Sequence, residues 1–113
     1  MDAAVEVEKQ KKFSWLKVKN HLPVDIYLPK YNVVIECQGI QHFVPVEAFG
    51  GKKAFDVGCK YDKLKFELCK SHGIKVYYYS KCKENGEIDF EYPYKVYEDL
   101  GELYEMIKLE NKR

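Results

Sequence analysis

The stretch Leu22-Pro23-Val24-Asp25-Ile26-Tyr27-Leu28-Pro29-Lys30-Tyr31-Asn32-Val33-Val34-Ile35-Glu36-Cys37-Gln38 decides the architecture of this 113-residue chain. Two apolar runs, Val24–Leu28 and Val33–Ile35, flank Pro29-Lys30-Tyr31-Asn32, whose proline and asparagine suit a tight turn. The spacing predicts a β-hairpin with arms over about 24–28 and 33–37. Each arm carries one acid, Asp25 or Glu36, among β-branched and aromatic neighbours. A carboxylate is costly there unless something compensates it. Two acids on paired strands can share one divalent cation, and oxygen ligands of this kind suit Mg²⁺ or Mn²⁺.

Downstream of the hairpin, residues 38–52 read as a loop containing Gly39, Pro45 and Gly50-Gly51. Residues 53–71 have helical spacing, with Phe55, Leu64, Leu68 and Cys69 toward the sheet and Gly73 as terminator. Gly58 weakens the first part and moves the expected start of regular helix toward Lys60. Residues 74–79 read as a strand, 80–93 as a loop turning at Glu84-Asn85-Gly86, and 99–108 as a helix with Asp99 near its N-terminus. Upstream, Val5 and Val7 alternate with Glu6 and Glu8, and Phe13 and Trp15 alternate with charged or small residues. One or two strands are expected there, with Lys9–Lys12 at a bend or exposed edge. A strand–helix–strand connection implies a parallel or mixed sheet with a right-handed crossover. The expected fold is therefore α/β: one domain over residues 1–113, with a mixed central sheet flanked by helices.

Composition narrows the function classes. Apolar residues make up 46% and charged residues 33%, a globular balance. The net charge of +1 announces no polyanion partner, but lysines gather at positions 9–12, 52–53 and 60–70 while acids gather at 84–91 and 98–105. The cysteines, Cys37, Cys59, Cys69 and Cys82, form no Cys-x-x-Cys pair, which argues against zinc. Cys37 on a strand and Cys69 on a helix read as small core hydrophobes. No secretory or membrane-length apolar run is visible, so the expectation is a reduced cytoplasmic setting without a membrane partner.

Pro23-Val24-Asp25, Glu36-Cys37-Gln38, Gly39-Ile40-Gln41-His42-Phe43, Phe49-Gly50-Gly51 and Tyr61-Asp62-Lys63-Leu64-Lys65 follow one another in an order that resembles the PD-(D/E)XK nuclease superfamily. The likeness is to its small branch related to very-short-patch-repair endonucleases, and it covers the central half of the chain. It implies a restriction-endonuclease-like core and a metal-dependent DNA endonuclease acting in repair, restriction or a mobile element. Mg²⁺ or Mn²⁺ would be held by Asp25, Glu36 and the main-chain carbonyl of Cys37. Gln38 occupies the usual lysine position and would orient a water through its amide. His42 would donate to a phosphate or protonate the leaving oxygen. Lys63 would stabilise the charged transition state, with Lys65 as the other candidate; residues two apart on a helix point apart, so only one serves. Many relatives carry a helix before the first strand that contributes another acid. Only a few residues precede the first expected strand here, so that helix is expected to be missing, leaving Glu6 or Glu8 as poor substitutes. DNA is the implied partner, and a homodimer is an arrangement such nucleases often use.

Plainer readings exist for each residue. Asp25 can cap a strand end, Gln38 can shape a turn, His42 can be a hydrogen-bonded loop histidine, and Asp62 can pair with Lys63 on the surface. Tyr77-Tyr78-Tyr79 reads as a strand with rings alternating between core and solvent rather than a base-stacking platform. Loss of the lysine at Gln38 also suits a binding module of the same fold that no longer hydrolyses. A third reading is an interaction domain whose acids are buried in hydrogen bonds.

Overall fold

The computed structural model describes residues 6–17, 21–39, 42–43, 45–81 and 93–111. At its centre is the hairpin of β2 (Val24–Leu28) and β3 (Val33–Cys37), antiparallel in the register Ile26↔Ile35, Tyr27↔Val34 and Leu28↔Val33. Asn32 closes the turn in the left-handed region at φ 55°, a conformation asparagine tolerates better than most residues. Its side-chain oxygen accepts from the Tyr27 hydroxyl at 2.6 Å, and its amide donates to the Gly73 carbonyl at 3.3 Å. The hairpin tip is thereby tied to the turn that ends the long helix.

β1 (Glu8–Lys11) lies antiparallel on the outer side of β2. The chain leaves β3, makes a 3₁₀ turn at Glu47–Phe49, and enters α1 (Gly51–Ser71). It returns as β4 (Lys75–Tyr79), parallel to β3. β5 (Val96–Tyr97) adds a short parallel strand beside Tyr78 and Tyr79, and α2 (Leu100–Glu110) follows. Asp99 caps α2 by accepting from the Glu102 N–H at 3.0 Å. The result is a mixed sheet in the order β1-β2-β3-β4-β5, an α/β fold.

Both faces of this sheet are covered. Leu28, Val33, Ile35, Tyr77, Tyr79 and Tyr97 pack with Leu103, Tyr104 and Ile107 of α2. On the other face Val24, Val34 and Ile74 pack with Leu68 and Cys69 of α1, and Phe13, Trp15 and Leu16 close over them. Tyr78, Val96 and Phe43 form a smaller cluster with Phe66 of α1.

Several expectations are corrected here. Of the bend or exposed edge expected for Lys9–Lys12 the structure has the edge, with Lys9 and Lys11 within the outer strand β1, whereas Phe13 and Trp15 lie outside any strand and cover the core. Trp15 stacks on His72 with ring centroids 3.8 Å apart. Alternation in that segment reported packing, not pleating. The helix starts at Gly51 rather than near Lys60: one interior glycine costs only about 1 kcal/mol, which the packing of a 21-residue helix offsets. Tyr77, Tyr78 and Tyr79 are all buried, because both faces of β4 are covered. β5 was not foreseen, since two residues carry no periodicity. The anticipated turn at Glu84-Asn85-Gly86, Val5 and Cys82 lie outside the described residues.

Candidate active site

The hairpin register brings the two acids together. One step beyond Ile26↔Ile35 the next opposed pair is Asp25 with Glu36, on the face that carries Val34. There the exchange of hydrogen bonds passes from backbone to side chains. The Asp25 N–H donates to Glu36 Oε2 at 2.8 Å, and the Cys37 N–H donates to Asp25 Oδ2 at 2.9 Å. Each carboxylate thus holds the other strand's backbone. Glu36 is 4% exposed and lies beside Tyr78 of β4 in the parallel register.

The compensating charge is Lys65 of α1. Its ammonium group forms an ion pair with Glu36 Oε1 and donates to the Pro23 carbonyl at 3.0 Å. Burial pushes the Glu36 carboxyl above its ordinary pKa, and the Lys65 charge and the Asp25 N–H pull it part of the way back. Behind the pair, burial, with a smaller push from Glu36, raises the Cys69 thiol to about 11. Cys69 therefore stays a neutral core group.

Lys63, the lysine first assigned to the site, is exposed on α1, and the contact to the acid belongs to Lys65. The reason is helical geometry. With Leu68 and Cys69 facing the sheet, the residue three and four positions earlier faces it too, and that residue is Lys65. Asp62, one turn before Lys65, reaches the loop histidine: its Oδ2 lies 3.0 Å from His42 Nδ1. The contact engages Nδ1 and leaves Nε2 outside it. α1 thus supplies a cation to the buried acid and an anion to the loop histidine from adjacent turns.

Gln38 is buried at 6% exposure, and its N–H continues the ladder to the Tyr79 carbonyl at 2.8 Å. Cys37 is exposed rather than a core hydrophobe; what it contributes between the acids is its backbone. Sequence reasoning missed Asp62 as the partner of His42. It also missed Gln10, whose Nε2 donates to Asp25 Oδ1 at 3.1 Å.

The donor set can be tested against a divalent cation. Among the described residues no three His, Cys, Asp or Glu side chains converge, so a nitrogen- or sulfur-rich transition-metal cage is not formed. Two neighbouring carboxylates fit Mg²⁺, which keeps most of its waters and takes one or two protein carboxylates. A cavity of about 470 Å³ between Phe66, Tyr78, Tyr94 and Tyr97 has none of Asp25, Glu36, His42 or Lys65 in its lining. No helix among the described residues is long and apolar enough to cross a membrane. Compared with family models, curated proteins and solved structures, the chain matches none.

Proposed function

We propose that this chain is a metal-dependent DNA endonuclease domain with a restriction-endonuclease-like core, hydrolysing phosphodiester bonds with Mg²⁺ or Mn²⁺. The observation that carries the reading is the opposed pair Asp25 and Glu36 with Lys65 on the buried acid. In the nuclease pattern that lysine follows the second acid on the strand; here Gln38 stands in that place and α1 delivers the charge from the side.

Asp25, Glu36 and the Cys37 carbonyl would hold the cation, which when bound lowers the pKa of water and offsets phosphate charge. Lys65 offsets part of the burial of Glu36 and places positive charge where a phosphate would dock. His42, oriented by Asp62, holds a proton at Nε2 for the leaving oxygen. Gln38 supplies an amide, which orients a water but cannot exchange a proton near neutral pH. Exposed Lys52, Lys53, Lys60, Lys63 and Lys70 on α1 suit a polyanionic substrate.

Supercoiled plasmid DNA incubated with the chain and Mg²⁺ or Mn²⁺ provides the test. The parent is expected to nick or linearise it, and Asp25→Ala is expected to abolish cleavage with folding largely retained by circular dichroism. Equal cleavage by the two would reject the site.

A further inference from the structure

Gln10 is one of two non-glycine residues among those described that stand at positive φ, and the other, Asn32, sits in a turn where asparagine is at home. Gln10, at φ 52°, lies in the middle of a strand. L side chains avoid this region, and an exposed edge-strand position can be filled by extended backbone at no cost. The strand is not slipped there. Glu8↔Tyr27, Lys9↔Ile26 and Lys11↔Val24 keep one register through the position, so Gln10 falls opposite Asp25 without an inserted residue. The unusual backbone coincides with one side-chain contact, the amide on Asp25 Oδ1.

That contact completes the holding of the Asp25 carboxylate. The Cys37 N–H takes Oδ2 from β3, and the Gln10 amide takes Oδ1 from β1. Gln10, Asp25, Glu36, Tyr78 and Val96 form one row across the whole sheet, so the acid is gripped by its neighbour on each side. The chemistry of the donor suits a cation site. A neutral amide fixes a carboxylate without neutralising it.

Building on the metal site argued above, we propose that Gln10 is the positioning residue of Asp25, its left-handed backbone kept to aim the amide at the carboxylate that binds the cation. Backbone strain held at a functional group is a recurring use of such conformations.

The test uses the whole chain and the variants Gln10→Ala and Gln10→Gly. In metal-free protein, amide hydrogen exchange of Cys37 is followed by NMR, with Ile35 and Tyr78 as references for global opening. Both variants are expected to speed exchange at Cys37 while the references hold, because the acceptor for its N–H is no longer fixed. Mn²⁺ titration is then expected to show affinity weakened on the order of tenfold, the usual cost of losing a group that orients a ligand. Gln10→Gly removes the strain as well as the amide, so it is expected to weaken Mn²⁺ binding while raising the thermal midpoint. Unchanged Cys37 exchange in both variants overturns the positioning role, as does full Mn²⁺ affinity in Gln10→Gly. A parent chain that takes up no Mn²⁺ overturns the metal site, and with it the proposal that the strain serves a cation; the exchange data then show only whether the amide fixes the carboxylate.

Discussion

Under α2 the sheet presents Leu28, Val33, Ile35, Tyr77 and Tyr79 to Leu103 and Ile107, a largely apolar layer. There the Tyr77 hydroxyl accepts from the Asn111 amide at 2.9 Å. Under α1 the same strands present Val34 and Tyr27 and then, without interruption, Asp25 and Glu36. The first face could be rebuilt from other hydrophobes of similar volume. The second could not, because a buried carboxylate fixes the identity of its partner and the register of both strands. One layer supplies stability and the other spends part of it on a charged site.

The comparison is most exposed to Leu103→Ala. Emptying this fully buried position is expected to cost about 3 kcal/mol in urea unfolding. Cleavage measured well below the midpoint is expected to persist; a loss as complete as that of Asp25→Ala would mean that the two faces are not separable.

Next comes Lys65→Ala set against Lys63→Ala. Stripping a buried acid of its cation costs several kcal/mol, and the 19% exposure of the Lys65 side chain lets water recover part of it, so a loss of about 2 kcal/mol is expected together with loss of cleavage. The exposed Lys63 is expected to change stability by no more than about 0.5 kcal/mol. Equal effects at both positions would undo the assignment of Lys65.

The smallest effect is in pH. The folded-state pKa of Glu36 lies above its ordinary value of 4.5, chiefly through burial. The stability this group contributes is therefore fully present below the ordinary glutamate range and is lost as pH rises through the folded pKa. Subtracting the urea midpoints of Glu36→Gln from those of the parent across that window should give a falling curve. A flat difference would mean that Lys65 fully offsets the burial. Cation binding needs the ionised acid, so Mn²⁺ affinity is expected to rise over the same window.

The hairpin was legible to the residue because turn chemistry and apolar runs coincide at Pro29–Asn32, and α1, β4 and α2 were legible from long periodic spacing. The acid pair was legible because a carboxylate between β-branched residues stands out in any reading. Its cation was half legible. Lysines are so common on helix surfaces that Lys65 is singled out only after Leu68 and Cys69 have set the helix phase. Asp62 was read through its neighbour in sequence, when its partner His42 lies 20 residues away. Gln10 gave no signal at all, since a left-handed backbone leaves a trace in residue type only where the residue is glycine or asparagine. β5 and the packing of Phe13 and Trp15 are tertiary outcomes that local patterns do not encode.

Strand order across the sheet is the order of the chain itself. A polypeptide emerging from its N-terminus can therefore lay each strand against an edge already made, with long excursions at the α1 crossover and between the parallel strands β4 and β5. Asp25 and Glu36 arrive together on the hairpin, in water, where two carboxylates are cheap. Lys65 comes 29 residues after Glu36, on the same helix that then shuts the solvent out. Dehydration of the acid and delivery of its counter-charge are thus one event in assembly, and the chain never has to bury the anion alone.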